Sequence, residues 1–331
     1  MPAERQTLTI RAYRPGDEAA VLDLFQRAFG VTRDVAHWRW KFEQDPFGRE
    51  HISLAFDADG RLVGHFAGYP MPFRREGRDI LGHQMGDVMT DPSVRHIGRG
   101  PTNVFVRCML HFYETFSDGQ IAFNYGFNVG NVQKLFLRYL RGQVVEPVPY
   151  LSRDLKTDPM PKVLWSRRLR GYQFELVKRL TDEWDELFER TWADYGFLTR
   201  RDRSYVQWRY LDCPGAPYIV VAVRRWRRLV GWVVFRIREG RFSLGDALFD
   251  RRHPGAVEMV LRHVVPQYPV NLLEGWFPPR PAWFSAILDD LGFIRRDEPQ
   301  GLSMIAATFT EPDAIERLRE SYYTMGDGDL F

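Results

Sequence analysis

The chain has 331 residues, and a single domain usually takes ~150, so two domains are expected. Its composition, 44% apolar and 27% charged, excludes a disordered chain, a collagen-like rod and a low-complexity scaffold. The 46 basic and 43 acidic residues leave a net charge of +3, and only five of the basic residues are lysines. The arginines are interleaved with Asp and Glu and form no basic stripe, so no nucleic-acid partner is expected.

The longest apolar stretches, Tyr218–Val223 and Leu229–Phe235, fall far short of the ~18 residues of a membrane span. The first ten residues carry no apolar secretion signal, and Cys108 and Cys213 have no metal-ligand spacing. A cytoplasmic, metal-free protein is therefore expected.

In chain order, an extended segment at Thr7–Arg14 turns at Pro15 and Gly16. With Asp17 as N-cap, a helix comes next whose apolar Val21, Leu22, Leu24, Phe25 and Phe29 share one face. His51–Phe56 and Arg61–Tyr69 read as a hairpin about an A-D-G turn. Then come a strand at Leu81–Thr90, a helix from Pro101 to about Phe116, a strand at Gln120–Tyr125 and a helix at Val129–Leu140. Residues 146–172, rich in proline and basic residues, read as a linker.

The second half repeats the first. L-D-L-F-Q-R-A-F at Leu22–Phe29 answers D-E-L-F-E-R-T-W at Asp185–Trp192, and W-K-F at Trp40–Phe42 answers W-R-Y at Trp208–Tyr210. R-L-V-G recurs at Arg61 and Arg228, Gly86–Asp87 at Gly245–Asp246, and Gly142 at Gly292. Five matches in one order predict two copies of one α/β fold, each a mixed sheet flanked by helices. The expected division is 1–145, the linker, 173–320, and a tail at 321–331.

The most informative segment is the turn after the strand that ends at Thr90. Arg95–Gly100 reads R-x-x-G-x-G, and a helix with Pro in its first position comes after it. Glycines there allow close backbone approach, and the free amides of a helix start attract a pyrophosphate. No G-K-[ST] stands after the turn, and no G-x-G-x-x-G is present, so it is neither a P-loop nor a dinucleotide fingerprint.

This turn resembles the acyl-CoA signature of the GNAT superfamily of N-acetyltransferases, [QR]-x-x-G-x-[GA]. The stretch from Gly126 to Gly142, with Asn131 eleven residues before Gly142, resembles the family's later strand-to-helix segment. The resemblance covers most of residues 7–145, whereas D-R-R-H-P-G-A in the second copy lacks the paired glycines. It implies two tandem GNAT-like domains, each with a mixed, mostly antiparallel sheet. One of them would work on acetyl-CoA or a longer acyl-CoA, with a small-molecule or peptide amine as acceptor.

By that resemblance, backbone groups of Val88, Met89 and Thr90 would hold the pantetheine arm. Amides of Arg95, His96, Ile97, Gly98, Arg99, Gly100 and Thr102 would hold the pyrophosphate, with Arg95 or Arg99 adding charge. Asn128 or Asn131 would meet the arm from the other side. An N–H near Met89 or Thr90 would face the oxyanion.

For catalysis, an ammonium of pKa ~10 must first lose a proton. Asp87 is the first candidate base, although Asp246 recurs where the cofactor turn is lost, which points to structure. The family's acidic tyrosine would fall at Arg138, which leaves Tyr139 beside it and then Tyr125. In some multi-domain relatives, of the aminoglycoside-modifying enhanced-intracellular-survival type, the terminal carboxylate serves as base; by that resemblance the tail Y-Y-T-M-G-D-G-D-L-F offers the Phe331 carboxylate. Transfer from an acyl carrier protein, a non-catalytic acyl-CoA-binding module and a Fem-like aminoacyl transferase are the alternatives. The intact R-H-I-G-R-G turn argues against the last.

Overall fold

The computed structural model describes residues 8–95, 97–98, 100–161 and 171–331, without the Asn131 side chain. The first part of the chain forms β1 (Thr9–Ala12), α1 (Glu18–Phe29), α2 (Val35–Phe42), β2 (Ile52–Phe56), β3 (Leu62–Arg75) and β4 (Arg78–Thr90). Next come α3 (Val104–Phe112), β5 (Phe123–Asn128), α4 (Gly130–Tyr139), β6 (Gln143–Pro147), β7 (Tyr150–Asp154), β8 (Tyr172–Leu176) and α5 (Glu183–Thr191). The rest gives β9 (Phe197–Thr199), α6 (Arg203–Val206), β10 (Ile219–Arg225), β11 (Arg228–Arg238), β12 (Arg241–Phe249), α7 (Gly255–Val264) and β13 (Leu272–Trp276). It ends in α8 (Ala282–Asp290), β14 (Ile294–Arg296), β15 (Ser303–Thr308), α9 (Ala314–Arg319) and β16 (Ser321–Tyr322).

The chain divides into two compact units. Unit 1 comprises residues up to 72, 80–146 and 303–316, and unit 2 comprises 73–79, 147–302 and 317–331.

In unit 1 the strand order is β1-β2-β3-β4-β5-β15-β6. β4 and β5 run parallel, while β1–β2, β2–β3 and β5–β15 are antiparallel. Phe66, Met85, Val104, Met109, Phe112 and Phe136 close a core between α3, α4 and the sheet. The helix expected from Pro101 begins instead at Val104, because the Asn103 side chain accepts the Phe105 amide at 3.0 Å and caps it there. Asp17 makes no side-chain cap; its carboxylate is held by the Arg11 guanidinium at 2.7 and 2.8 Å. The unexpected helix α2 buries Trp38, Trp40, Lys41 and Phe42. Its buried lysine hid the apolar face.

In unit 2 the strand order is β14-β7-β13-β12-β11-β10-β8, with β12 and β13 parallel. β9 pairs with β16 in parallel and with residues 73–74. The stretch read as a linker contains β7, which hydrogen-bonds β13 on one side and β14 on the other. Likewise β15, expected in the second copy, pairs with β5 within unit 1. Sequence proximity does not select these partners; an open strand edge does, since unpaired N–H and C=O groups take any strand of fitting register.

The duplication is visible in matched hydrogen bonds. In unit 1 Arg27 Nε reaches Asp91 at 2.7 Å and its Nη2 reaches the Leu62 carbonyl at 2.8 Å. In unit 2 Arg190 reaches Asp250 at 3.0 Å and the Leu229 carbonyl at 2.8 Å. The amides of Asp91 and Asp250 donate to Val63 and Val230, both at 2.9 Å. Each lock ties the first helix to the end of the central strand and to the neighbouring hairpin. Replacing Arg27 by Gln (R27Q) leaves the Leu62 carbonyl without this donor, which should cost about 1–3 kcal/mol. Urea unfolding checks this, and an unchanged midpoint would refute the lock's role.

Candidate functional site

The site of interest in unit 1 arises where two parallel strands part. β4 and β5 pair from Gly82↔Phe123 to Gln84↔Tyr125, and there their ladder stops. β5 keeps its bonds to β15 as far as Asn128↔Ser303, so β4 turns away. Asp87 in the middle of β4 has φ 50°, a left-handed conformation that costs a non-glycine residue energy and re-aims the strand. The opening leads into a cavity of about 440 Å³ lined by Val88, Met89, Thr90, Arg95, Val104 and Phe105, among others. Of the residues named from sequence, Val88, Met89, Thr90 and Arg95 thus lie on one cavity. Asn128 ends β5 outside its lining.

The turn beyond β4 is shaped by its glycines. Gly98 has φ +73°, and a Cβ there would come 2.7 Å from the Thr102 carbonyl carbon and closer still to its oxygen. Gly100 has φ +58°, and a Cβ would meet the Tyr139 ring and its hydroxyl at 3.2 Å. Asp91 starts the turn by accepting the Ser93 amide at 2.9 Å. Burial alone would raise its pKa, but the bonds from Ser93, Arg27 and Arg61 hold it below the usual carboxylate range. The Ile97 amide donates to the Val94 carbonyl at 2.9 Å, so it belongs to the turn and is not a spare donor. Arg95 hydrogen-bonds the Thr90 carbonyl at 3.2 Å and the Ala28 carbonyl at 3.3 Å, lying along the cavity rim. His96 and Arg99, also named from sequence, lie outside the described residues, as does the side chain of Asn131.

Beside the strand parting lies a buried polar group. Asp87 pairs with Arg33 and with Lys41, the latter at 3.1 Å. Burial would raise its pKa, but Lys41 and Arg33 overturn that and keep it ionised far below the normal range. The Nδ1 of His65 contacts the Asp87 carbonyl oxygen at 2.7 Å, and burial lowers the pKa of that imidazole to about 4. Its Nε2 and both amide atoms of the buried Gln84 have no hydrogen-bond partner among the described residues. The sequence pattern does not single out His65 or Gln84, since a lone His or Gln in a strand carries no motif.

Asp87 is held as a fixed anion; Asp246 of unit 2 pairs with Arg201 at 2.9 Å. Tyr139 packs against the glycine turn. Phe331 belongs to unit 2, where its main-chain oxygen accepts from Tyr218 at 2.5 Å and from Arg209 at 3.2 Å. Asp327, in the same tail, is buried against Arg201 and takes the Thr199 hydroxyl at 2.6 Å.

A parallel strand pair that opens onto a glycine turn and a helix start is decisive together with one comparison. Residues 9–131 match the family described as acetyltransferase (GNAT) domain. Unit 1 carries a GNAT acetyltransferase domain. No curated protein matches the chain by sequence. Among solved structures, a GCN5-related N-acetyltransferase from Anabaena variabilis is similar over 90% of this chain and 72% of its own, with TM-score 0.67 and 11% identity. A probable N-acyltransferase from Enterococcus faecalis is similar over 91% and 73%, with TM-score 0.66 and 14% identity. Saccharomyces cerevisiae N-myristoyltransferase with bound myristoyl-CoA is similar over 92% and 80%, with TM-score 0.59 and 12% identity. The shared feature is the fold, two mixed sheets flanked by helices.

Two outcomes test the GNAT site. Gly98→Val introduces both strain at positive φ and a clash with Thr102, and should weaken CoA binding about tenfold or more. Calorimetry of folded protein checks it, and unaltered affinity would show that the turn does not hold the cofactor. D87N leaves Lys41 and Arg33 without their anion and should destabilise by about 3–5 kcal/mol at neutral pH. Because the folded pKa of Asp87 is depressed, its stabilisation is complete above the unfolded value of ~3.9 and is lost as pH falls below it. The gap between wild type and D87N in denaturant titrations should therefore shrink below about pH 4.

Proposed function

We propose that the protein is an N-acyltransferase that moves an acyl group from acyl-CoA to a primary amine of a small molecule or peptide. The observation that carries this is the β4 edge after Gln84, released from β5 and opening on the cavity beside the glycine turn and the start of α3. A pantetheine arm can take up the freed backbone groups of Val88 to Thr90 as an added strand. The glycine turn and the start of α3 would face the pyrophosphate with close backbone approach and the dipole of a helix start. An N–H near Met89 or Thr90 then meets the oxyanion formed when the amine attacks the thioester carbon.

The proton of the incoming ammonium needs a destination. Asp87, gripped by Lys41 and Arg33, has too little proton affinity for that task, and its part is to fix the left-handed kink of β4 where the strands part. His65, with a pKa near 4, stays neutral and can accept a hydrogen bond through Nε2, but does not keep a proton at neutral pH. In this reading the proton goes to solvent. The rate should then rise with pH toward the acceptor's own pKa, about 10 for an alkylamine. Tyr139 supports the cofactor turn through Gly100.

Release of free thiol from acetyl-CoA and longer acyl-CoAs, measured against a panel of amines, tests the proposal. Turnover that climbs with pH is the expected result. A titration of CoA should give one site per chain, because the corresponding turn of unit 2 folds Arg252 back onto Asp250 at 2.8 and 2.9 Å. CoA binding with no thiol release toward any amine would leave an acyl-CoA-binding module in place of an enzyme.

A further inference from the structure

Unit 2 retains the strand parting without the glycine turn. The β12–β13 ladder ends at Leu244↔Gly275. At the next residue, Gly245, the place of a side chain is filled by the Phe331 ring, whose atoms lie as close as a Cβ could never allow. The tail is fastened there by Arg209, which donates to the carbonyls of Gly326 and Gly328 at 3.2 and 3.0 Å. What remains beside Phe331 is a cavity of about 200 Å³, lined by Arg236, Arg241, Ser243, Glu274 and Trp276 among others.

One basic side chain of this cavity has a nitrogen without an acceptor among the described residues. Glu274 accepts from Tyr150 at 2.8 Å, from Arg241 at 2.8 Å and from Ser243 at 2.9 Å, so this carboxylate and Arg241 satisfy one another. Glu298, on the rim, spends an oxygen on the amides of Gln300 and Leu302 at 2.8 and 2.9 Å. Arg236 is different. Its guanidinium lies 5.0 Å from the centre of the Phe331 ring, and its Nε is buried with no acceptor among the described residues. A guanidinium cannot shed its charge, and its planar fork matches a carboxylate. Two aromatic side chains, Trp276 and Phe331, wall the same space.

We propose that unit 2 binds a small monocarboxylate with a flat apolar body, its carboxylate on Arg236 and its ring between Trp276 and Phe331. This site goes beyond the acyl-transfer reading, since it lies in the other unit and its occupancy needs no acyl donor.

Benzoate is the probe, titrated into the full-length chain by calorimetry without any CoA. Binding should weaken about tenfold or more in R236Q, as expected for loss of a charge-assisted pair. It should be unchanged in R238Q, whose guanidinium is exposed on the same strand beside Glu239. Benzylamine, the same ring with a cation, should not bind, and inorganic phosphate should bind more weakly than benzoate. Benzoate binding that survives R236Q, no binding in the wild type, or equal binding of phosphate or benzylamine would each overturn the proposal. Unchanged thermal unfolding of R236Q separates loss of the site from loss of fold. Each of these readings stands whether or not the chain turns over acyl-CoA.

Discussion

The architecture of each unit depends on one kind of contact, an arginine at the end of the first helix holding the aspartate that ends the central strand. Arg27 with Asp91 and Arg190 with Asp250 each tie three elements at one point, since the same guanidinium also binds the carbonyl that opens the adjacent hairpin strand. The planar fork of arginine makes this possible, because lysine could not serve two acceptors in fixed directions. A second matched pair, Arg33 with Asp87 and Arg201 with Asp246, lies just before the first along the strand. Together they set where the central strand bends and where its last residues point.

Beyond the lock the two copies diverge. In unit 1 the chain continues through Gly98 and Gly100, whose positive φ values make a turn that larger residues could not fold. In unit 2 Arg252 returns to Asp250, α7 starts at once, and the Phe331 ring enters the space over Gly245. The same parting of parallel strands thus yields an open, mainly apolar cavity in one unit and a small charged one in the other. A strand pair that separates has to find other partners for its backbone, and the copies solve this differently.

Much of this was legible in the chain itself. Five short matches in order, from L-D-L-F-Q-R-A-F to the final glycine, are enough to read a duplication, and Arg27 and Arg190 fall inside the first of them. R-x-x-G-x-G after a strand marks the turn because glycine is required where φ is positive and the approach is close. The helix α2 was not legible, because its buried face includes Lys41, a residue that reads as exposed until Asp87 is placed beside it. Nor was the setting of Asp87. A carboxylate in the sequence is a candidate base, but Arg33 and Lys41 make Asp87 a fixed anion.

Local features therefore came from sequence alone: the repeat, the glycine turn, the hairpins and the apolar faces, each governed by residues within a few positions of one another. The tertiary structure decided what depends on distant partners. It placed Tyr150–Asp154 and Ser303–Thr308 in their sheets, because an open strand edge is satisfied by geometry and not by order along the chain. It buried the tail of unit 2 through Arg209, Tyr218 and the void at Gly245. It also left His65 Nε2, the side-chain amide of Gln84 and Arg236 Nε without partners among the described residues, since a polar atom's satisfaction is set by every element that packs around it.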